Sequence, residues 1–174
     1  MSETVRAVIA LGSNLDDPRE QVRRGFDEIA ALPGTRLLAK SPLYRTAPVG
    51  YLDQPPFVNA CALVETSLAP RALLGRLLDL EQRHGRVRAI RNGPRTLDLD
   101  IVLYGDRPVN EPGLTIPHPR AHERAFVLQP LVDVWPEAAI PGKGKARDLL
   151  KVVPADAGIH SMDPHVHGDD GGAA

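Results

Sequence analysis

The chain has 174 residues, 43% of them hydrophobic, with a formal net charge of −1 and a single cysteine. That length allows one domain with a proper core, the lone Cys61 excludes an internal disulfide, and the near-zero charge argues against a general nucleic-acid binder. No apolar run approaches the ~20 residues that span a bilayer, and the N-terminus lacks a charged-then-apolar signal segment, so a cytoplasmic protein without a membrane partner is expected.

In chain order, Val5 to Leu11 is a mostly apolar run that reads as a central strand, closed by the turn cluster Gly12-Ser13-Asn14. That cluster lacks the spaced glycines and lysine of a phosphate loop and reads as structural. Asp17-Pro18-Arg19-Glu20 opens a helix, with Asp17 as N-cap, Pro18 at the first helical position and Glu20 completing a capping-box-like pair. Val22, Phe26, Ile29 and Ala30 supply its inward face, and Pro33-Gly34 stops it.

Thr35 to Tyr44 reads as a second strand interrupted at Pro42. Residues 46–56 contain Pro48, Gly50, Pro55 and Pro56 and must form a loop, of a length that in compact domains often carries function. Phe57 to Thr66 is the third strand, with Phe57, Asn59 and Cys61 on one face and Val58, Ala60, Ala62 and Val64 on the other. Cys61 reads as a small buried hydrophobe. Phe57 and Asn59 offer a stacking ring and a carboxamide, although on pattern alone a core Phe with a backbone-bonded Asn is the better reading.

Pro70 starts a second helix, with Leu73, Leu74, Leu77 and Leu78 as its apolar stripe and Gly85 as its C-terminal cap. From Arg71 to Arg95 there are seven arginines against Asp79 and Glu81, a local net of +5. Arg71 and Arg76 read as a solvated face, while the later arginines run into a strand where Leu97, Leu99, Ile101 and Leu103 face one side and Asp98 and Asp100 the other. Two carboxylates about 6.5–7 Å apart on stiff backbone repel unless cations sit by them, and hard divalent metals suit such a pair. A surface strand with two solvated acids is the plain alternative. The basic run beside the pair favours a metal–polyphosphate site, with Arg86, Arg88 and Arg95 meeting phosphate.

Beyond Tyr104-Gly105-Asp106 a small hairpin runs through Val109 and Leu114-Thr115-Ile116. Pro117-His118-Pro119 holds His118 in a rigid extended segment. Ala121 to Val134 gives a last helical segment, with Arg124 and Phe126 near its start and Trp135-Pro136 at its end. Residues 1–153 are expected as one domain, and 154–174, acidic and polar, as a disordered tail whose His160, His165 and His167 form no designed metal site. The order strand, helix, strand, strand, helix, strand predicts an α+β, ferredoxin-like βαββαβ core. Its helices lie on one face of an antiparallel sheet, leaving the other for ligands, and a C-terminal hairpin and helix follow.

Gly85-Arg86-Val87-Arg88 followed by Asn92-Gly93-Pro94-Arg95-Thr96-Leu97-Asp98-Leu99-Asp100 closely resembles the signature of the 6-hydroxymethyl-7,8-dihydropterin pyrophosphokinases of folate biosynthesis. Leu11-Gly12-Ser13-Asn14-Leu15, Tyr44-Arg45-Thr46, Asp53-Gln54-Pro55 leading to Phe57-Val58-Asn59, and Thr115-Ile116-Pro117-His118-Pro119 match as well, over roughly residues 4–150. The resemblance implies the ferredoxin-like fold and transfer of pyrophosphate from ATP to the hydroxymethyl group of a reduced pterin, releasing AMP, by a monomeric enzyme.

It further implies that Asp98 and Asp100 hold two Mg²⁺ ions and that Arg86 and Arg95 neutralise the moving group. Glu81, Arg88, Ile101, Thr115, His118 and Arg124 are then expected on ATP. Thr46, Ala47, Val49, Phe57, Asn59, Asp98 and Phe126 are expected on the pterin, with the two phenylalanines sandwiching the ring. Asn92 stands where relatives often carry Trp, the loop before it looks one residue shorter than in some, and Ala47 and Phe57 replace a Pro and a Tyr. Two rival functions use the same residues: a metal-dependent nucleotidyl transferase, and a non-catalytic nucleotide-sensing module of this fold.

Overall fold

The computed structural model describes residues 3–46, 55–85, 96–153 and 159–162. Its centre is β1 (Val5–Ser13), bonded on one side to β4 (Phe57–Thr66) and on the other to β5 (Asp98–Tyr104), both antiparallel. Beyond β4 lie β2 (Thr35–Lys40) and β3 (Tyr44–Thr46), the halves of one edge interrupted at residues 41–43, as Pro42 predicts. Gly12 and Ser13 do not turn. They extend β1 and pair with Asn59 and Val58, so the turn begins two residues later than expected.

Two helices cover one face of this sheet. Helix α1 (Pro18–Ala30) buries Val22, Phe26 and Ile29 as predicted, but Ala30 is exposed and Gly25 is buried in its place. A Cβ on Gly25 would stand 2.8 Å from a methyl of Leu11, so the missing side chain is what lets α1 lie close to β1. Asp17 makes no side-chain cap. Asp16 and Asp17 adopt left-handed backbone conformations that turn the chain, and the Asp17 carbonyl accepts the N–H of Gln21 to start the helix.

Helix α2 (Pro70–Arg83) buries Leu73, Leu77 and Leu80, while Leu78 stands 37% exposed, so the apolar stripe lies one step round from the predicted one. Burying each of these leucines stabilises the fold by roughly 1.5–3 kcal/mol. Gly85 follows the helix with φ +74, the left-handed conformation that suits glycine after a helix end.

The strict alternation of β5 stops at a bulge. Ile9 pairs with Ile101 but Val8 pairs with Leu103, so Val102 and Leu103 both pack on the second face, and Leu103 leaves the side shared by Leu97, Leu99 and Ile101. That second face is not left wholly open. Helix α3 (Ala125–Val134), preceded by a 3₁₀ turn at Ala121–Glu123, packs Leu128 and Leu131 against Val8, Cys61 and Leu63. A hairpin of β6 (Val109–Glu111) and β7 (Leu114–Ile116) matches expectation.

A ribbon of β8 (Ala139–Ile140) and β9 (Gly144–Lys145) and the short helix α4 (Ala146–Val152) complete the second layer. Finally β10 (His160–Ser161) pairs with β3, so these residues of the expected tail are docked on the sheet edge. The rest of 154–174 lies outside the described residues. The architecture is α+β and ferredoxin-like: βαββαβ, with strand order β3-β4-β1-β5 and β2 beside β4. Among the described residues no helix is long and apolar enough to cross a membrane.

Candidate active site

Where α3 begins and the second sheet face is uncovered, a cleft of about 170 Å³ opens. Its floor is sheet. Cross-strand register sets Asn59 opposite Gly12 and Gly12 opposite Asp98, so these three positions form one row over β4, β1 and β5. Phe57 and Asp100 lie two residues along their strands, on the same face by the period of two. Thr46, at the end of β3, pairs with Phe57. The opposite wall is the segment 118–127, which brings His118, Arg120, Arg124, Phe126 and Val127 over the floor.

The two ends of the cleft differ in chemistry. The β3–β4 side holds the ring of Phe57 beside an amide whose orientation is fixed, because Asn59 Nδ2 donates to Thr46 Oγ1 at 2.6 Å, and Phe126 adds a second ring from the wall. Gly12 permits this: a Cβ there would stand 2.9 Å from Asn59 Oδ1. The other end sets Asp98 and Asp100 facing His118, Arg120 and Arg124. Burial lowers the pKa of Arg124, with Arg120 lowering it further and Asp100 and Glu123 opposing, and its guanidinium lies 5.5 Å from the centre of the Phe126 ring. Burial also lowers the pKa of His118, with Arg124 and Arg120 acting the same way and Asp98 opposing. The Arg120 N–H donates to His118 Nδ1 at 3.1 Å, which places the proton of the neutral ring on Nε2. Residues 117–120 form a bend and turn rather than the expected extended segment.

Thus Thr46, Phe57, Asn59, Asp98, Asp100, His118, Arg124 and Phe126 converge from four segments of sequence. Three expected nucleotide contacts do not join them among the described residues. Ile101 points into the core under α1 and α2, Thr115 is exposed on β7, and Glu81 is buried with its carboxylate on the Leu99 N–H. Ala47, Val49, Arg86, Arg88, Asn92 and Arg95 lie outside the described residues. Sequence reasoning missed Gly12 and Arg120. Gly12 was hidden by being read as a turn, and Arg120 could have been found as a further cation two residues past His118.

The donor set suits magnesium in one specific way. Among the described residues no three His, Cys, Asp or Glu side chains cluster. Magnesium, however, commonly takes one or two carboxylates and completes its octahedron with substrate phosphates and water. Asp98 and Asp100, open to a cleft edged with cations, fit a metal that arrives with a polyphosphate.

Residues 8–136 match the model of the 7,8-dihydro-6-hydroxymethylpterin-pyrophosphokinase family. The 2-amino-4-hydroxy-6-hydroxymethyldihydropteridine pyrophosphokinase of Pseudomonas aeruginosa is 48% identical over 149 residues, which cover 86% of this chain and 92% of that protein. Its namesake from Haemophilus influenzae is 44% identical over 147 residues, covering 84% and 92%. The folic acid synthesis protein fol1 of Schizosaccharomyces pombe is 42% identical over 135 residues, 78% of this chain but 18% of that much longer one. Among solved structures, wild-type Plasmodium falciparum HPPK-DHPS with pteroate superposes with a TM-score of 0.68 at 14% identity. That match covers 87% of this chain and 44% of that one, so this chain spans less than half of the solved protein, and the likeness is one of fold. With the family model covering most of the chain and close relatives matched nearly end to end, the chain belongs to the 7,8-dihydro-6-hydroxymethylpterin-pyrophosphokinase family.

Proposed function

We propose that the chain transfers pyrophosphate from ATP to the hydroxymethyl group of 6-hydroxymethyl-7,8-dihydropterin, releasing AMP, in folate biosynthesis. The single observation that carries this reading is the make-up of the cleft, which brings two rings and an oriented amide together with two acids and their facing cations. A flat heterocycle lies between Phe57 and Phe126, and Asn59 Oδ1 meets a donor on its edge. The hydroxymethyl oxygen then attacks the β-phosphorus in line. The bond from that phosphorus to the α–β bridging oxygen breaks, AMP leaves, and the hydroxyl proton passes to solvent.

Asp98 and Asp100 hold two Mg²⁺ ions, which when bound supply charge neutralisation along the polyphosphate. Arg124 and His118 meet the nucleotide. By resemblance Arg86 and Arg95 meet the moving group, Arg88 the nucleotide, and Ala47 and Val49 the pterin. Phosphoryl transfer depends on placement and electrostatics more than on covalent chemistry. A monomer in the cytoplasm completes the reading.

The test is product analysis with ATP, the reduced pterin and Mg²⁺. A pyrophosphokinase yields AMP and the pterin pyrophosphate in equal amounts. Release of inorganic pyrophosphate instead identifies a nucleotidyl transferase. Binding without turnover, retained in Asp98→Ala, identifies a sensor.

A further inference from the structure

Glu81 is only 3% exposed, near the end of α2, and its Oε2 accepts the main-chain N–H of Leu99 at 2.7 Å. Leu99 is the residue between Asp98 and Asp100. Among the described residues β5 is the outermost strand on its side of the sheet, and none of them forms a strand along its outer edge. In an antiparallel ladder, bonded and non-bonded pairs alternate. With the Leu99 N–H turned to Glu81, the pair Leu11–Leu99 exchanges no bonds with β1, and the flanking pairs Gly12–Asp98 and Ala10–Asp100 are the bonded ones. Glu81 thus supplies from a helix the acceptor that a missing strand would have supplied, at the midpoint of the acid pair.

A neutral side chain could cap this edge at less cost, because a buried carboxylate is expensive unless well bonded. What the charge adds is a shorter, stronger bond and a stiffer main chain. We infer that Glu81 is a positioning residue for the reaction: it fixes the backbone between Asp98 and Asp100 and so sets how the two carboxylates meet magnesium. The inference rests on the proposed reading of that pair as the metal ligands. It replaces the nucleotide contact expected of Glu81 from resemblance.

The experiment compares Glu81→Leu, Glu81→Gln and Asp100→Asn in the full chain. It measures the Mg²⁺ concentration for half-maximal AMP release, the KM for ATP at saturating Mg²⁺, and amide exchange at Leu99. Glu81→Leu should raise the Mg²⁺ requirement on the order of tenfold, the usual scale for losing a group that orients a metal ligand, with KM for ATP little changed. Glu81→Gln keeps an acceptor oxygen and should recover most of the loss. Leu99 exchange should be slow in the unaltered protein and faster in Glu81→Leu.

Raised KM for ATP in both Glu81 variants with an unchanged Mg²⁺ requirement overturns the inference in favour of direct nucleotide contact. Fast Leu99 exchange in the unaltered protein overturns it without any variant having to fold. An unchanged requirement in Asp100→Asn overturns the metal reading and the role with it. A change there but none in Glu81→Leu overturns the role of Glu81 alone.

Discussion

His118 is pushed towards its neutral form by burial and then by Arg124 and Arg120, so its folded-state pKa lies below the ordinary 6.5 despite the opposing pull of Asp98. The neutral ring therefore favours the fold. That contribution is complete above about pH 6.5 and is lost as the pH falls from there to the folded-state value, over which the unfolded chain takes up a proton first. Titration of the ring by NMR should give a midpoint below 6.5, and His118→Gln should flatten the acid limb of stability; a midpoint at or above 6.5 contradicts the burial argument. At the other end of the cleft, Gly12→Ala places a Cβ 2.9 Å from Asn59 Oδ1, and the amide must turn and lose its bond to Thr46. One such bond is worth about 1 kcal/mol, so the KM for the pterin should rise roughly five- to tenfold while that for ATP stays unchanged. Equal rises in both constants would place the effect in the fold rather than the amide. The acid pair was legible in sequence because a period of two shows which side chains share a face. The place of Glu81 was not: resemblance put it on the nucleotide, and the strand edge that its carboxylate caps shows only in the fold.

Between elements, the end of α2 is held to α1 by His84, whose side chain is wholly buried. Its Nδ1 contacts Gln21 Oε1 and its Nε2 lies 2.6 Å from Glu28 Oε1. The Gln21 amide is oriented for this, because its Nε2 donates to the Asp16 carbonyl at 2.9 Å. His84→Leu leaves the Gln21 and Glu28 oxygens without that partner, although Glu28 keeps Arg24 at 3.9 Å. The expected cost is about 2–4 kcal/mol, seen as a lower denaturation midpoint at unchanged slope. A loss under about 1 kcal/mol would show the clamp to be dispensable. Helix and strand identities were readable here from period and from proline and glycine punctuation. The helix faces slipped by one step at Ala30 and Leu78, because the buried side is decided by what packs there: Gly25 meets Leu11, and Leu80 joins the core. The bulge at Val102 left no mark in an unbroken apolar run.

Across the whole molecule, the sheet is a wall between two cores. Leu73, Leu77 and Phe26 back one face, and Leu128 and Leu131 back the other. Helix α3 was legible, but the rest of its layer was not, since Ala138 to Val152 has no strong period and gains its structure by packing against Val8, Cys61 and Leu103. Tyr44 ties that layer to β3 through a hydrogen bond to Asp133, and burial together with that carboxylate holds its hydroxyl far above the usual range. The cleft lies where this layer stops, so its walls belong to two different packing units. On the proposed reading, a nucleotide held by Asp98 and Asp100 on the sheet and by His118 and Arg124 on the second layer joins those units, and binds only when both are folded. Mass action then fixes the size of the effect. A ligand at a hundred times its Kd stabilises by about 2.7 kcal/mol, and a domain of this size gains about 2–4 °C per kcal/mol, so saturating Mg²⁺ with an ATP analogue should raise Tm by about 5–10 °C. In Asp100→Asn the Mg²⁺-dependent part of that rise should largely vanish, while the rise given by the pterin alone, which on the proposed reading depends on Phe57, Asn59 and Phe126, should remain. Loss of both together would mean that the two ends of the cleft are not separable and that the acids shape the ring site as well.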